Sequence, residues 1–374
     1  MRTTLARSAA ATLTAVAMVA LSSACSPPEK ESEAATSGAA TATSAADLGG
    51  LEALITAAKA EGQLNVIALP PTWANYGEII KAFGTKYGIK VVSDQPDGSS
   101  QAEINAADQH KGQDTAPDVF DLSAAVASAN TAKFAPYKVE KFGEIPAELK
   151  DANGTWVNDY GGYMSIGYDS AKVPAPTGVA DLLKAEYKGK VALNGDPTQA
   201  GAAFGGVQLA SLANGGTVDD IAKGVEFFGD LKKAGNFLPV DPSSATIQSG
   251  QTPVVFDWDY VNAAETAKLP TWKVLVPAGT VLGSYYVQAI NADAPHPAAA
   301  RLWQEYLYSD EGQNLWLKGG ARPVRADAMA KAGTIDATAY AALTKVEGTL
   351  VVPTEAQNTK AKEYLSANWA KAIG

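Results

Sequence analysis

The feature that most constrains the fold is an alternation of strand-like and helix-like segments that begins at Leu64. The apolar run LNVIA precedes a helical pattern whose apolar face is formed by Tyr76, Ile79, Ile80, Phe83 and Tyr87. The β-branched segments IKVVS and DVFDL continue this order. Such alternation predicts an α/β fold of mixed, mainly parallel sheets covered by helices, with ligands beyond the carboxyl ends of the strands.

A second series of the same kind starts near Gly161. It contains the strand-like segments YMSIGYD, KVALNG, TPVVF and WKVLVP and an Ala-rich helix that stops at Asn214. After Gly283 the pattern becomes mainly helical. The chain has 374 residues, of which 46% are apolar and 19% charged, so it can form two domains.

The N-terminus has the three parts of an export signal. Two arginines precede an apolar run from about Ser8 to Leu21, which is too short to span a bilayer, and Cys25 follows Ser-Ser-Ala. Residues 1–24 are therefore predicted to be a lipoprotein signal peptide, with Cys25 as the acylated residue. An ordinary signal peptide with a coincidental cysteine is the alternative. Residues 25–46 lack aromatic residues and periodicity, which predicts a flexible tether.

Charge and histidine content exclude several functions. The formal net charge of −10 disfavours nucleic acid as a partner. The two histidines, His110 and His296, stand in no metal-ligand or hydrolase spacing and are interpreted as structural. Ser165, in GYMSIG, lacks the glycine spacing of a nucleophile elbow. The sequence therefore predicts neither an enzyme nor a bound cofactor.

The segment VVFDWDY carries the clearest candidate binding residues. If the strand continues, alternation puts Asp257 and Asp259 on one face and Trp258 on the other. If it ends there, a carboxylate still lies near an aromatic ring. Acids beside aromatic faces suit a cationic amine, because they supply charge-assisted hydrogen bonds and cation–π attraction.

Other strand ends and helix starts offer further candidates. Pro70 and Pro71 fix an extended loop that would hold Trp73 beyond the first strand. Ser99, Ser100 and Thr198 precede helices, where they either cap the helix or help to hold an anion. Tyr285 and Tyr286 are adjacent, so on a strand only one faces a cleft unless the backbone bends.

Several motifs together resemble the solute-binding proteins of ABC importers, in the class that includes spermidine/putrescine-binding and ferric-binding proteins. They are ALPPTWANYGEIIKAFGTKYGIKV, APDVFDLS, GKVALNGDP, ANGG, GQTPVVFDWDYVNA and APHPAAARLWQEYLYSDEGQNLWLKGGARPVR. The resemblance implies a two-lobed, periplasmic-binding-protein-like fold of type II with an interlobe cleft. Lobe 1 is expected over residues 47–160 and 284–374, and lobe 2 over residues 161–283.

The resemblance also implies which residues face the cleft. Lobe 1 would contribute Trp73, Asn75, Ser99, Ser100 and Asp121. Lobe 2 would contribute Thr198, Asp257, Trp258 and Asp259. The crossing segments would place Tyr160, Tyr285 and Tyr286 at the cleft floor.

The function implied is the extracytoplasmic solute-binding component of an ABC import system. A polyamine or other cationic amine is the leading solute, held by the acids of FDWDY. Ferric ion, with Tyr285 and Tyr286 as ligands, and a phosphonate or other anion are the alternatives. The partners would be an ABC permease with its ATPase and the outer face of the cell membrane, and the protein would be a monomer.

Overall fold

A computed structural model describes residues 38–344 and 346–374, without the side chain of Glu355. The predicted signal peptide, Cys25 and the first part of the predicted tether lie outside the described residues. The helices are α1 Leu51–Glu61, α2 Tyr76–Tyr87, α3 Ser100–Gln109, α4 Ala124–Ala129, α5 Gly201–Ala213, α6 Ala222–Ala234, α7 Ser244–Ser249, α8 Asp259–Thr266, α9 Pro297–Leu307, α10 Asp310–Lys318, α11 Ala326–Ala332, α12 Ala337–Ala342 and α13 Glu355–Ile373.

The strands follow the apolar, β-branched segments of the sequence. They are β1 Gln63–Ile67, β2 Lys90–Asp94, β3 Val119–Ser123, β4 Phe134–Ala135, β5 Val157–Asp169, β6 Val191–Leu193, β7 Val254–Trp258, β8 Trp272–Leu275, β9 Gly279–Asn291, β10 Arg322–Pro323 and β11 Gly348–Val351. The predicted α/β fold class is confirmed.

Two long strands, β5 and β9, connect the two lobes. Their pairing joins Val157 to Gln288 at one end and Tyr163 to Gly283 at the other, with an irregularity between Asn158 and Gly161. In lobe 1, β9 also pairs with β3 and β4, and β1 and β2 form a parallel pair. In lobe 2, β5 pairs with β7 and β8, and β6 runs parallel to β7.

The sheets contain fewer parallel pairs than the alternation suggests. The parallel pairs among the described strands are β1 with β2, β6 with β7, and β9 with β11. The reason is the direction of the two connecting strands. Each runs antiparallel to most of its neighbours, and together they take part in most of the pairings.

The crossing of β5 and β9 leaves no room for a side chain at Gly161. A Cβ atom there would lie 2.2 Å from the carbonyl oxygen of Ser284. Glycine at this position therefore allows the backbones of the two connecting strands to approach closely.

We expect Gly161→Ala to lower the free energy of unfolding by about 2 kcal/mol, because the added methyl group forces the strands apart. Gly178→Ala is the matched control, since a Cβ there meets no heavy atom within 4 Å. Urea unfolding followed by circular dichroism measures both variants. Equal stability of the two would show that the crossing is not tightly packed.

The C-terminal segment differs from its predicted place in lobe 1. Strand β11 pairs in parallel with Gly279–Leu282 of β9, and α13 packs mainly against α6 of lobe 2, with a smaller contact to α4 of lobe 1. The assignment of residues 348–374 to lobe 1 is therefore wrong. Burial accounts for this position, because Ala361, Leu365 and Trp369 of α13 are buried and Trp369 packs against Phe228 of α6.

The predicted tether also extends too far. Ala39, Ala42 and Ala45 are buried, and Arg301 of α9 donates hydrogen bonds to the carbonyls of Ala40 and Ala42, at 2.9 and 2.8 Å. Small side chains and exposed backbone acceptors suffice for this docking, although the segment has no periodicity. Residues 38–46 therefore belong to the folded body.

Candidate functional site

Four aromatic side chains from both lobes meet where β5 and β9 cross, and we call them the aromatic box: Trp73, Tyr160, Tyr260 and Tyr286. The Trp73 ring stands edge-on to Tyr260 and to Tyr286, with centroid distances of 5.9 Å in both cases. Tyr160 stacks on Tyr286 at 5.5 Å and stands edge-on to Tyr260 at 5.8 Å. Trp73 follows β1 of lobe 1 and Tyr260 lies in α8 of lobe 2, so the box joins side chains of both lobes.

Trp73 is held in place by its loop and by a hydrogen bond. The loop follows β1, and Ala74 and Asn75 have positive φ values of 45° and 67°, which turn the chain sharply into α2. The indole N–H of Trp73 donates to the hydroxyl of Tyr160 at 2.8 Å. That hydroxyl donates in turn to Oδ2 of Asp121 at 3.0 Å.

Asp121 supplies a buried carboxyl group on the lobe 1 side. It lies on β3, its Oδ1 has no hydrogen-bond partner among the described residues, and burial raises its pKa to about 7. Two further buried acids lie nearby. Glu103 accepts the backbone N–H of Asp121 at 2.9 Å, and its pKa is raised by burial and by Asp121. The pKa of Asp159 is raised for the same two reasons.

Asp257 supplies the corresponding group on the lobe 2 side. Its Oδ2 accepts a hydrogen bond from Nδ2 of Asn194 at 2.7 Å, and burial raises its pKa to about 7. The next side chain, Trp258, is also buried, and its indole N–H has no partner in the described part of the chain. A carboxyl group and an indole donor are therefore both buried at the end of β7.

The alternation of VVFDWDY stops at Trp258. Strand β7 ends there and α8 begins at Asp259. The carboxylate of Asp259 accepts the backbone N–H of Tyr163 at 2.8 Å, and burial raises its pKa to about 6. Asp259 thus hydrogen-bonds the backbone of β5, whereas Asp257 hydrogen-bonds the side chain of Asn194. The two acids therefore do not lie on the same face of one strand.

The adjacent tyrosines have different surroundings. Tyr286 belongs to the aromatic box, whereas the Tyr285 ring lies against Gly161. Burial raises the pKa of Tyr285 to about 12, and the nearby Arg322 opposes this rise. Arg322 itself lies over the ring of Tyr163 at 5.6 Å. The strand thus separates the two side chains, as its alternation predicts.

Four other predicted residues make contacts outside the aromatic box. Asn75 donates to the carbonyl of Leu315 at 2.9 Å. Ser99 accepts the backbone N–H of Ala102 as the N-cap of α3. Ser100 accepts the backbone N–H of Ser123 at 2.9 Å, and Thr198 donates to Asp196 at 2.8 Å. These contacts satisfy turns and helix ends, and they do not join the four side chains to the box.

Sequence reasoning did not include Tyr260, Glu103 or Asn194 in the site. Tyr260 is fully buried in the first turn of α8, and its hydroxyl has no hydrogen-bond partner among the described side chains. The available signal was its position directly after the acids of FDWDY. Glu103 hydrogen-bonds the backbone of Asp121, and Asn194 hydrogen-bonds the carboxyl group of Asp257. Neither residue stands in a recognisable sequence motif.

Two features of residues 38–344 and 346–374 bear on the class of site. No helix in these ranges combines the length and apolar character needed to cross a bilayer. No cluster of three or more His, Cys, Asp or Glu side chains suited to a metal ion occurs in the same ranges.

Comparison with known proteins identifies relatives of the whole fold. The profile of a family described as bacterial extracellular solute-binding protein matches residues 116–343. This match covers more than half of the chain and includes β3, both connecting strands and β7. No curated protein sequence gives a significant match.

Solved structures give the same fold at low sequence identity. The periplasmic binding protein P5PA is 20% identical, with a TM-score of 0.64 over 84% of this chain and 100% of its own. Iron-bound HitA from Pseudomonas aeruginosa is 19% identical, with a TM-score of 0.63 over 83% and 99%. The spermidine/putrescine substrate-binding protein PotD from Streptococcus pneumoniae, with calcium and HEPES, is 15% identical, with a TM-score of 0.58 over 83% and 99%.

Proposed function

The chain belongs to the bacterial extracellular solute-binding protein family, and from this premise we propose that it binds a cationic amine in the aromatic box. Polyamines are the first amines to test. Family membership makes it an extracytoplasmic transport protein of the ABC type and not an enzyme. Delivery of the amine to a membrane permease and its ATPase is part of the proposal.

The observation that carries the proposal is a pair of buried carboxyl groups without a cationic partner. Asp121 and Asp257 are 7% and 3% exposed, and neither forms an ion pair with a Lys, Arg or His among the described residues. Isolated buried carboxylates are strongly disfavoured, so they are usually paired or hold a bound cation. An ammonium group would supply the missing charge to both.

Unsatisfied polar atoms support the same location. Oδ1 of Asp121, the hydroxyl of Tyr260 and the indole N–H of Trp258 are buried without a well-aligned hydrogen bond in the described chain. The side chains of Tyr76 and Tyr286 lie close to Asp121 and Trp258, respectively. Each such atom costs about 1–3 kcal/mol. The carboxylate and the tyrosine hydroxyl can accept N–H donors from an ammonium group, so amine binding would recover part of this cost.

The rings of the aromatic box would add cation–π attraction and apolar packing to the charge of the carboxylates. Tryptophan and tyrosine faces attract a cation by about 0.5–2 kcal/mol each, and more when water is excluded. The same rings pack against the methylene groups of an alkylamine. Because Trp73 and Tyr260 belong to different lobes, a solute between them would favour the closed arrangement of the lobes.

Ferric ion is the main rival. It would use tyrosine oxygens, and Tyr160 and Tyr286 stack within the box. The divergence of Tyr285 from Tyr286 weighs against the predicted pair of adjacent ligands. A charge-transfer band in the visible spectrum after addition of ferric citrate would favour this rival over the amine.

The proposed cellular setting includes a lipid anchor at Cys25, a tether and a monomeric body at the outer face of the cell membrane. The support is the export-signal pattern before Cys25 and the family's extracellular location. Labelling of expressing cells with a radioactive or clickable fatty acid tests the anchor. Loss of the label in Cys25→Ala is expected, and label retained by this variant would contradict acylation at Cys25.

Amine affinity should depend on pH through Asp121 and Asp257. Both have pKa values raised to about 7, and the ammonium group prefers their ionised forms. We therefore expect the affinity for putrescine to fall about tenfold or more between pH 8 and pH 5.5. Titration calorimetry at both pH values measures this change, and an affinity that rises on acidification would contradict the role of the two carboxylates.

A thermal-shift panel on the purified chain tests the proposed solute class. The probes are putrescine, spermidine, ferric citrate and phosphate, and a ligand that binds only the native state raises the unfolding midpoint. We expect a selective rise with the amines. A rise with ferric citrate or phosphate alone would overturn the proposal.

A further inference from the structure

A small cavity adjoins the aromatic box and shares Tyr286 with it. Its volume is about 40 Å³, and the rest of its lining includes Trp258, Gly201, Phe204, Asn358 and Lys362. This volume holds a few water-sized groups, so it can take one functional group of a solute but not a whole solute. The lining contains no Asp or Glu side chain of the described chain.

Lys362 gives the cavity a positive charge. It projects from α13 and places its Nζ 5.6 Å from the centroid of the Phe204 ring. Burial lowers its pKa, and no acid among the described side chains pairs with it. Lys360, two residues earlier, is mostly exposed and lies 3.5 Å from Asp219. Lys362 is therefore the lysine of α13 that lines the cavity.

Donor groups in the cavity wall add to this charge. Gly201 is the first residue of α5, a helix of 13 residues, so backbone N–H groups and the positive end of the helix dipole lie at the cavity. The indole N–H of Trp258, which is 4% exposed, has no partner in the described chain. Lys362, Trp258 and the first residue of α5 therefore line the same small space.

We propose that the solute carries an anionic oxyacid group, a carboxylate or a phosphonate, in addition to its ammonium group. The ammonium group lies in the aromatic box, and the anionic group lies beside Lys362, across the wall formed by Tyr286. This inference rests on the proposed amine site and narrows its solute class from amines in general to amino acids of the ω-amino type or aminoalkylphosphonates.

Matched probes test the inference by titration calorimetry on the purified chain. The series comprises β-alanine, γ-aminobutyrate, ε-aminocaproate and aminoethylphosphonate, each compared with the alkylamine that lacks the anionic group. We expect the best-fitting member to bind at least about tenfold more tightly than its alkylamine. Tightest binding by a carboxylate probe or by the phosphonate probe would support the inference in either case. The two results differ only in which oxyacid they identify as the natural group.

Two lysine variants locate the anionic group. Lys362→Gln should weaken the best-fitting probe about tenfold and leave its alkylamine unchanged, whereas Lys360→Gln removes the same charge outside the cavity and should change neither. If alkylamines bind but the anionic group adds nothing and Lys362→Gln has no effect, this inference is wrong and the amine site stands. If neither kind of probe binds, the proposed amine function itself fails.

Discussion

Replacing Asp121 and Asp257 together by asparagine is expected to weaken amine binding at least about 100-fold. Each carboxylate would make a charge-assisted hydrogen bond to the ammonium group, worth about 1.5–3 kcal/mol. Asparagine keeps the shape and one acceptor oxygen but removes the charge. Titration calorimetry with putrescine at pH 8 measures the loss, since both carboxyl groups are ionised there.

The same double variant should make the ligand-free protein more stable at pH 8, by about 2 kcal/mol. Burial raises both pKa values from 3.8 to about 7. The folded state therefore holds these protons more tightly than the unfolded state does. The stability that protonation gives is present below about pH 4 and is lost as the pH rises through 7, where each carboxylate is buried and charged.

Asp241→Asn provides the control, because Asp241 is exposed and lies outside the site. It should change neither binding nor the urea midpoint. A double variant with lower stability and unchanged affinity would show that Asp121 and Asp257 are structural. The combination of weaker binding with higher stability is the signature expected of binding residues, and simple loss of packing would not produce it.

Trp73→Ala is expected to weaken amine binding about 30-fold or more. The substitution removes the ring that spans from lobe 1 to Tyr260 and Tyr286, at 5.9 Å from each. A ring at the centre of an interface and its cation–π attraction together contribute about 2 kcal/mol or more. The variant also loses the hydrogen bond that orients Tyr160.

Trp73→Phe separates the two effects. Phenylalanine keeps an aromatic face but lacks the indole N–H, so the affinity should fall only a few-fold. Titration calorimetry with putrescine compares the three proteins. Equal affinities for the alanine variant and the original chain would place the amine outside the aromatic box.

The sequence predicts the fold and offers candidates for the site, because strands, helices and their ends depend on local patterns. Apolar runs mark the strands, and the first polar residues beyond them mark the strand ends. Asp257 follows from this rule, whereas Asp121 follows only from the resemblance to the solute-binding proteins of ABC importers. In the structure Asp121 lies in the middle of β3 and Asp257 next to the last residue of β7. Trp73 follows from the two prolines that hold its loop extended.

The residues that the sequence did not reveal depend on distant contacts. The period changes from strand to helix at Asp259, which brings Tyr260 into the box and turns Asp259 toward the backbone of Tyr163. Lys362 reaches its cavity because α13 packs against lobe 2, at the far end of a segment assigned to lobe 1. No local sequence pattern indicates that a helix packs against the other lobe.

Conversely, local chemistry explains the residues that do not reach the box. Ser99 and Thr198 hydrogen-bond groups within their own turn or helix end, as such side chains do in many loops. Asn75 instead donates to the carbonyl of Leu315 in α10. A polar residue at a helix start is therefore weaker evidence for a ligand than a buried acid that lacks a cation. Asp121 and Asp257 are buried acids of this second kind, without a cationic partner among the described residues.

A crystal structure of the chain grown with the tightest-binding amine tests the central claim most directly. The account predicts the amine inside the aromatic box, with its ammonium nitrogen within hydrogen-bond distance of the carboxylates of Asp121 or Asp257. Amine density elsewhere on the protein, or a carboxylate or metal ion between Trp73 and Tyr286, would contradict it.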